Sequence, residues 1–168
     1  MHVASDAADH SRVFALKRIV CHDKAALADA VAEMELLSCL PPHANIIRFR
    51  AGTQRIKAKS SQQGEVTEVL LLTDLYRGGG LHEAMDRLRD EGRSLDQRSL
   101  LLLFSQACAA VAHLHGQSPP IAHRDIKLEN LLLQGDLSCI GSGQGRLVLC
   151  DFGSATRYVW IFLFFLAL

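Results

Sequence analysis

The run RVFALKRIVC (Arg12–Cys21) is rich in β-branched and aromatic residues with a short stretch of alternation, which predicts a strand. Before it, MHVASDAADH opens on a brief apolar stretch and turns polar, as a partner strand and hairpin would. DKAALADAVAEMELLSCL follows, with Leu27, Val31, Met34 and Leu37 at three- and four-residue steps. That spacing predicts a helix with one buried face, ended by PPH. NIIRFRAG and EVLLLTDLY read as two further strands, separated by a polar loop over Thr53–Gly64, and GGG then interrupts the pattern. From Leu81 the period turns helical: LHEAMDRLRDEG is a short amphipathic helix that stops at Gly92. SLDQRSLLLLFSQACAAVAHLHG is a longer helix with a Ser94/Gln97 capping box. After SPP, the runs NLLL and RLVLCDF suit a hairpin joined by QGDLSCIGSGQG. The order is strands with one helix, then helices, then a small hairpin, which predicts an α+β fold in two subregions.

Composition narrows the function without naming it. The 168 residues are of one-domain size, and with 49% hydrophobic and 21% charged residues the chain has a globular rather than a disordered balance. Lys+Arg and Asp+Glu both number 18, so no basic excess exists to neutralise phosphates, and a nucleic-acid partner is not expected. The basic residues of RIKAKSSQQGE read as a solvated loop. Five cysteines without a C-x-x-C pair, and a start without an apolar signal region, predict reduced thiols in a cytoplasmic protein.

The chemistry concentrates in HRDIKLEN (His123–Asn130), DFG (Asp151–Gly153) and FALK (Phe14–Lys17). In this order, each on a suitable element, they resemble the protein-kinase signature set. The resemblance implies a sheet-based N-lobe with helix C, about residues 1–73, a hinge at 74–80, and the first part of a helical C-lobe at 81–156. It also implies ATP and Mg²⁺ as cofactors and a protein serine or threonine as phosphoryl acceptor, a transfer that needs positioning and charge neutralisation more than covalent catalysis. Lys17 would hold the α/β-phosphates and pair with a helix glutamate. Glu33 fits that role best; Glu35 is the runner-up, about 200° round the helix, so both cannot face Lys17. Asp125 would orient the substrate hydroxyl and Lys127 would contact the transferred phosphate. Asn130 and Asp151 would ligate Mg²⁺ through hard oxygen donors. Thr73 resembles the gatekeeper, Asp74–Tyr76 the hinge, and Ala15 and Leu132 the roof and floor of the adenine pocket.

Other features read as structural. GSGQG (Gly141–Gly145) lies between Asn130 and Asp151, far along the chain from the lysine strand, and reads as an ordinary loop rather than a phosphate cradle. HLH (His113, His115) lacks a third ligand at zinc spacing. Cys150 reads as a small buried residue rather than a reactive thiol.

Within the kinases, PPIAHRDIKLENLLL and LCDFGSAT resemble the Numb-associated kinase family, the adaptor-associated and cyclin-G-associated kinases. That likeness implies clathrin-adaptor substrates and a vesicle-associated location by analogy alone; it leaves the oligomeric state open. The sequence also departs from the family. No G-x-G-x-x-G precedes Lys17, and no activation segment with A-P-E follows DFGSAT. The expectation is therefore an incomplete copy with weak or no activity, the alternative being a non-catalytic fragment that binds nucleotide or protein. Residues 157–168 read as an apolar tail unrelated to the kinase fold. Tyr158–Leu168 is eleven residues, about 16 Å as a helix, which is too short to span a bilayer core of about 30 Å.

Overall fold

The computed structural model describes residues 2–5, 13–60 and 64–157. They form two compact units, one of Met1–Pro42 with Ile47–Leu75, the other of His43–Ile46 with Tyr76–Leu168.

The first unit is a four-stranded antiparallel sheet carrying one helix. Strands β1 (His2–Ser5), β2 (Val13–Cys21), β3 (Phe49–Ser60) and β4 (Gly64–Asp74) lie in the order β1-β2-β4-β3. Strand β2 is the one expected from Arg12–Cys21, and β1 pairs with it from His2↔Leu16 to Ser5↔Val13. The turn expected between them lies outside the described residues. Helix α1 (Lys24–Cys39) starts where Asp23 accepts a hydrogen bond from the Ala26 N–H at 2.8 Å, relieving one orphan donor of the first turn. Its Ala30 joins Cys21, Val69 and Leu71 in a buried core, with Leu27, Val31 and Met34 half-buried against it. Short side chains at the helix centre leave Ala30 as the innermost position.

The polar loop expected at Thr53–Gly64 is largely strand. β3 continues to Ser60 and β4 begins at Gly64, with pairing out to Ser60↔Gly64. The cause is position: β3 is an edge strand, and Gly52–Ile56 are exposed, so no alternation marks the strand in sequence. Basic residues along an open edge also discourage pairing with another chain. The expected strand NIIRFRAG is shortened at its start, because Asn45 and Ile46 belong to the second unit.

The second unit holds α2 (Leu81–Asp90), α3 (Gln97–His115) and two short two-stranded antiparallel sheets. Strand β5 (Ile121–Ala122) pairs with β8 (Thr156–Arg157), and β6 (Leu131–Gln134) with β7 (Arg146–Leu149). The β6–β7 hairpin is the one expected from NLLL and RLVLCDF. GSGQG falls in its connecting turns. Pairing at Ile121↔Arg157 includes the first residue assigned to the apolar tail; residues 158–168 lie outside the described residues. α2 ends before Gly92, whose φ of 65° suits a residue without a Cβ. The GGG break packs onto β6: Gly78 N–H donates to the Leu133 carbonyl at 3.0 Å, and Leu133 N–H to Gly79 at 2.8 Å. A Cβ on Gly78 would come 2.1 Å from the Gly135 carbonyl oxygen, so only glycine permits this approach.

The capping box expected at Ser94/Gln97 is not the one used. Asp96 caps α3, its carboxylate accepting from the Ser99 N–H and the Ser99 hydroxyl, both at 2.8 Å. Those bonds hold the Asp96 carboxyl below its ordinary pKa. Asp96→Ala is expected to lower stability by removing this cap. Urea unfolding would show this as a lower midpoint at unchanged slope, while Ser94→Ala leaves the midpoint in place.

Candidate functional site

Each unit assembles its own share of the chemistry-bearing residues. In the first, alternation along β2 fixes what faces where. The register sets Ala15 opposite Thr73 and Phe14 opposite Asp74, and both Ala15 and Thr73 are buried. Two residues on, Lys17 is paired with Glu33 of α1. Its ammonium donates to both carboxylate oxygens, at 2.8 and 3.0 Å. The Glu33 side chain is 4% exposed and that of Lys17 35%, so the anion is buried and its cation reaches the surface. Glu35 is exposed. A buried carboxylate is tolerated only with such a partner, and removing the lysine would strand the charge. Asp74 is engaged by Arg50, whose Nε and Nη2 donate to its two oxygens at 2.6 and 2.9 Å.

The second unit brings Asp125, Lys127, Asn130 and Asp151 to one end of the β6–β7 hairpin. The register Leu131↔Leu149 makes Asn130, just before β6, a neighbour of Cys150, just after β7. The Cys150 N–H donates to the Asn130 carbonyl at 2.9 Å. The nineteen residues between them are thus folded away, and Asp151 stands beside the HRDIKLEN loop. Within that loop, the buried Asn130 amide donates to both the backbone carbonyl and a carboxylate oxygen of Asp125, at 2.8 Å each. Lys127 donates to the same carboxylate oxygen at 2.8 Å. Lys127 and then Asn130 hold the Asp125 carboxyl below its ordinary range, and Asp125 in turn pushes the Lys127 ammonium up. Asp125 therefore stays an anion, and Lys127 a cation, throughout the neutral range. Because the Asn130 nitrogen is spent on Asp125, its amide oxygen is the atom left to offer a cation, and Asp151 adds a carboxylate. Two such oxygens suit a hard divalent ion such as Mg²⁺, which keeps most of its water.

Backbone strain sits at the same end. Arg124 and Asp151 are the described non-glycine residues with positive φ, at 64° and 61°. Such conformations cost of order 1–3 kcal/mol each and persist where surroundings fix them. Here Arg124 Nε donates to the Ser154 carbonyl at 2.6 Å. His123 Nε2 lies 3.0 Å from the Cys150 carbonyl, and its ring meets Phe152 edge-on at a centroid distance of 4.8 Å. Tyr76 and Leu132 share the glycine turn on β6: the Tyr76 carbonyl accepts from Gly79 N–H, and Leu132 bridges Gly80. Cys150 is buried.

Sequence reasoning missed two elements. Asn45 donates to the Gln106 side-chain oxygen at 3.0 Å and the Leu147 carbonyl at 2.8 Å, and its own carbonyl accepts from Leu149 N–H at 2.9 Å. Gln106 also accepts from Leu147 N–H at 2.7 Å, so this pair pins β7. In the first unit, the fully buried Glu68 meets Arg55 at 2.9 Å and Arg18 at 3.5 Å. The signal for Glu68 was a carboxylate opening the apolar run EVLLL; nothing local marked Asn45.

Comparison with known proteins adds a family match. A protein kinase domain model matches residues 3–160. A "Probable serine/threonine-protein kinase" of Dictyostelium discoideum is 34% identical over 148 residues, covering 88% of this chain and 17% of its own length. A second of the same description from that organism is 33% identical over 149 residues, covering 89% and 12%. A serine/threonine-protein kinase of Schizosaccharomyces pombe is 35% identical over 155 residues, covering 92% and 15%. The chain thus spans under a fifth of the length of these relatives.

His123 carries a pH consequence. Burial pushes its pKa below 6.5, against the opposing pull of its Cys150 hydrogen bond and of Asp151 and Asp125. With Nε2–H spent on Cys150, protonation would place a second N–H at Nδ1, a buried atom with no hydrogen-bond partner. Neutral His123 therefore stabilises the fold in full above pH 6.5, and that contribution is lost as pH falls below it toward the depressed folded value. Chemical unfolding across pH 7.5 to 5 is expected to show this decline in the natural chain, and a shallower one in His123→Gln.

Proposed function

The chain belongs to the protein kinase domain family, and we propose that it transfers the γ-phosphoryl group of Mg²⁺-ATP to serine and threonine hydroxyls of proteins. The observation that carries this reading is the retention of every charged group the chemistry needs, with Lys17 held by Glu33 and Asp125 by Lys127 and Asn130. Lys17, steadied by Glu33, neutralises the nucleotide phosphates. Asp125, kept anionic by Lys127 and Asn130, orients the acceptor hydroxyl and receives its proton. Lys127 offsets charge on the transferred group. Asn130 and Asp151 hold the magnesium, which supplies charge neutralisation at the phosphates when bound. Ala15, Thr73, Asp74, Tyr76 and Leu132 receive the adenine. The positive φ at Asp151 supports this reading, since strained backbone is retained where function requires a side chain at a fixed angle.

The motif likeness to the Numb-associated kinases supports a finer proposal: the acceptors are clathrin-adaptor-type proteins, met at vesicle surfaces from the cytoplasm. Among the described residues no helix is long and apolar enough to cross a membrane.

Phosphate incorporation into a serine/threonine substrate, measured with Mg²⁺-ATP on this chain, tests the reading. Asp151→Asn and Lys17→Met are each expected to lower incorporation by about 10²-fold or more, the scale for losing one preorganised electrostatic group. Incorporation indifferent to Asp151 would overturn the catalytic proposal. Nucleotide binding without Asp151-dependent transfer would favour a binding role instead.

A further inference from the structure

The second unit carries an apolar groove of about 170 Å³, lined wholly by Leu, Met, Phe and Ala side chains. Leu103, Leu131 and Leu147 form its buried floor; Leu100, Phe104 and Leu128 stand on its rim at 56%, 68% and 45% exposure. Leu100 and Phe104 are four residues apart on α3 and so share one face. Contiguous exposed apolar surface of this kind marks an interaction site. With no charge or polar group in its lining, the groove selects an uncharged apolar occupant over a charged peptide.

The same chain contains one. Tyr158–Leu168 (YVWIFLFFLAL) is eleven consecutive apolar residues without a charge. It follows Arg157, which is held opposite Ile121 by the β5–β8 pairing, and β5 packs against α3. α3 has 19 residues, about 28 Å. Eleven extended residues reach about 36 Å, more than the whole helix. Phe104 is therefore within range from any point on α3. The groove is also of suitable size, since a cavity of about 150 Å³ accepts a benzene ring. The segment carries four aromatic rings, Trp160, Phe162, Phe164 and Phe165, besides Tyr158.

We propose that Tyr158–Leu168 docks intramolecularly into the groove of Leu100, Leu103, Phe104, Leu128, Leu131 and Leu147, seating an aromatic side chain there. The segment then serves as a cover for the apolar face of α3.

Trp160 is the sole tryptophan of the chain, so its emission reports on this segment alone. In dilute, monomeric full-length chain, emission at short wavelength is expected. Phe104→Asp and Leu100→Asp should each shift it to longer wavelength. Leu101→Asp, a change at a residue equally exposed on α3 (58%) but outside the groove lining, should leave it in place. Far-UV circular dichroism checks that each variant is folded, and the milder Phe104→Ser repeats the test if either charge disrupts α3. Emission indifferent to Leu100 and Phe104, or equally sensitive to Leu101, would overturn the proposal. So would a short-wavelength band that disappears on dilution together with a dimer, which assigns the groove to a second copy. A band that develops only when phosphatidylcholine vesicles are added assigns the segment to lipid and also overturns it.

Discussion

The backbone of one residue governs the geometry of the second unit. Cys150 has its N–H bonded to the Asn130 carbonyl and its carbonyl in hydrogen-bond reach of His123. Both contacts are buried, where an unmade hydrogen bond costs about 1–3 kcal/mol. The DFG segment therefore cannot slide against the HRDIKLEN loop without exposing or orphaning polar groups. The rest is downstream of this clamp: the left-handed backbone at Asp151, the packing of Phe152 on His123, and the tie from Arg124 to Ser154. The cysteine side chain matters less than the backbone on either side of it, which is why a small buried side chain suffices there.

The first unit solves a different problem, that of keeping carboxylates inside an apolar layer. Glu33 and Glu68 are both buried, and both are met by cations whose bodies lie on the surface. The arrangement lets Lys17 and Arg55 bury stem and charge contact while keeping part of the side chain in water. The two differ in consequence. Glu68 is shared between two arginines, whereas Glu33 is held by Lys17, whose side chain remains 35% exposed.

Much of this was legible because local pattern and tertiary role agreed. Lys17 on its strand, Glu33 on its helix and the NLLL/RLVL hairpin each follow from periodicity and from the motif likeness. Two of the three failures were decided by partners outside the segment itself, the third by local competition between caps. β3 past Gly52 is strand only because β4 pairs with it, and its exposed polar residues leave no trace of that in sequence. Asp96 outcompetes Ser94 as a cap because Ser99 offers its carboxylate both an N–H and a hydroxyl. Asn45 looks like loop, and becomes structural through Gln106 and Leu147, 61 and 102 residues away.

The assignment of His43–Ile46 has a consequence for how the molecule could be divided. The polypeptide enters the second unit for four residues, returns to the first for Ile47–Leu75, and enters again at Tyr76. A fragment started at Tyr76 would thus lack Asn45, leaving Gln106 without its side-chain donor and Leu149 N–H without its acceptor. It would also lack Ile46, the bridge partner of Leu149. No single cleavage releases the second unit intact; its smallest faithful excision is a discontinuous one.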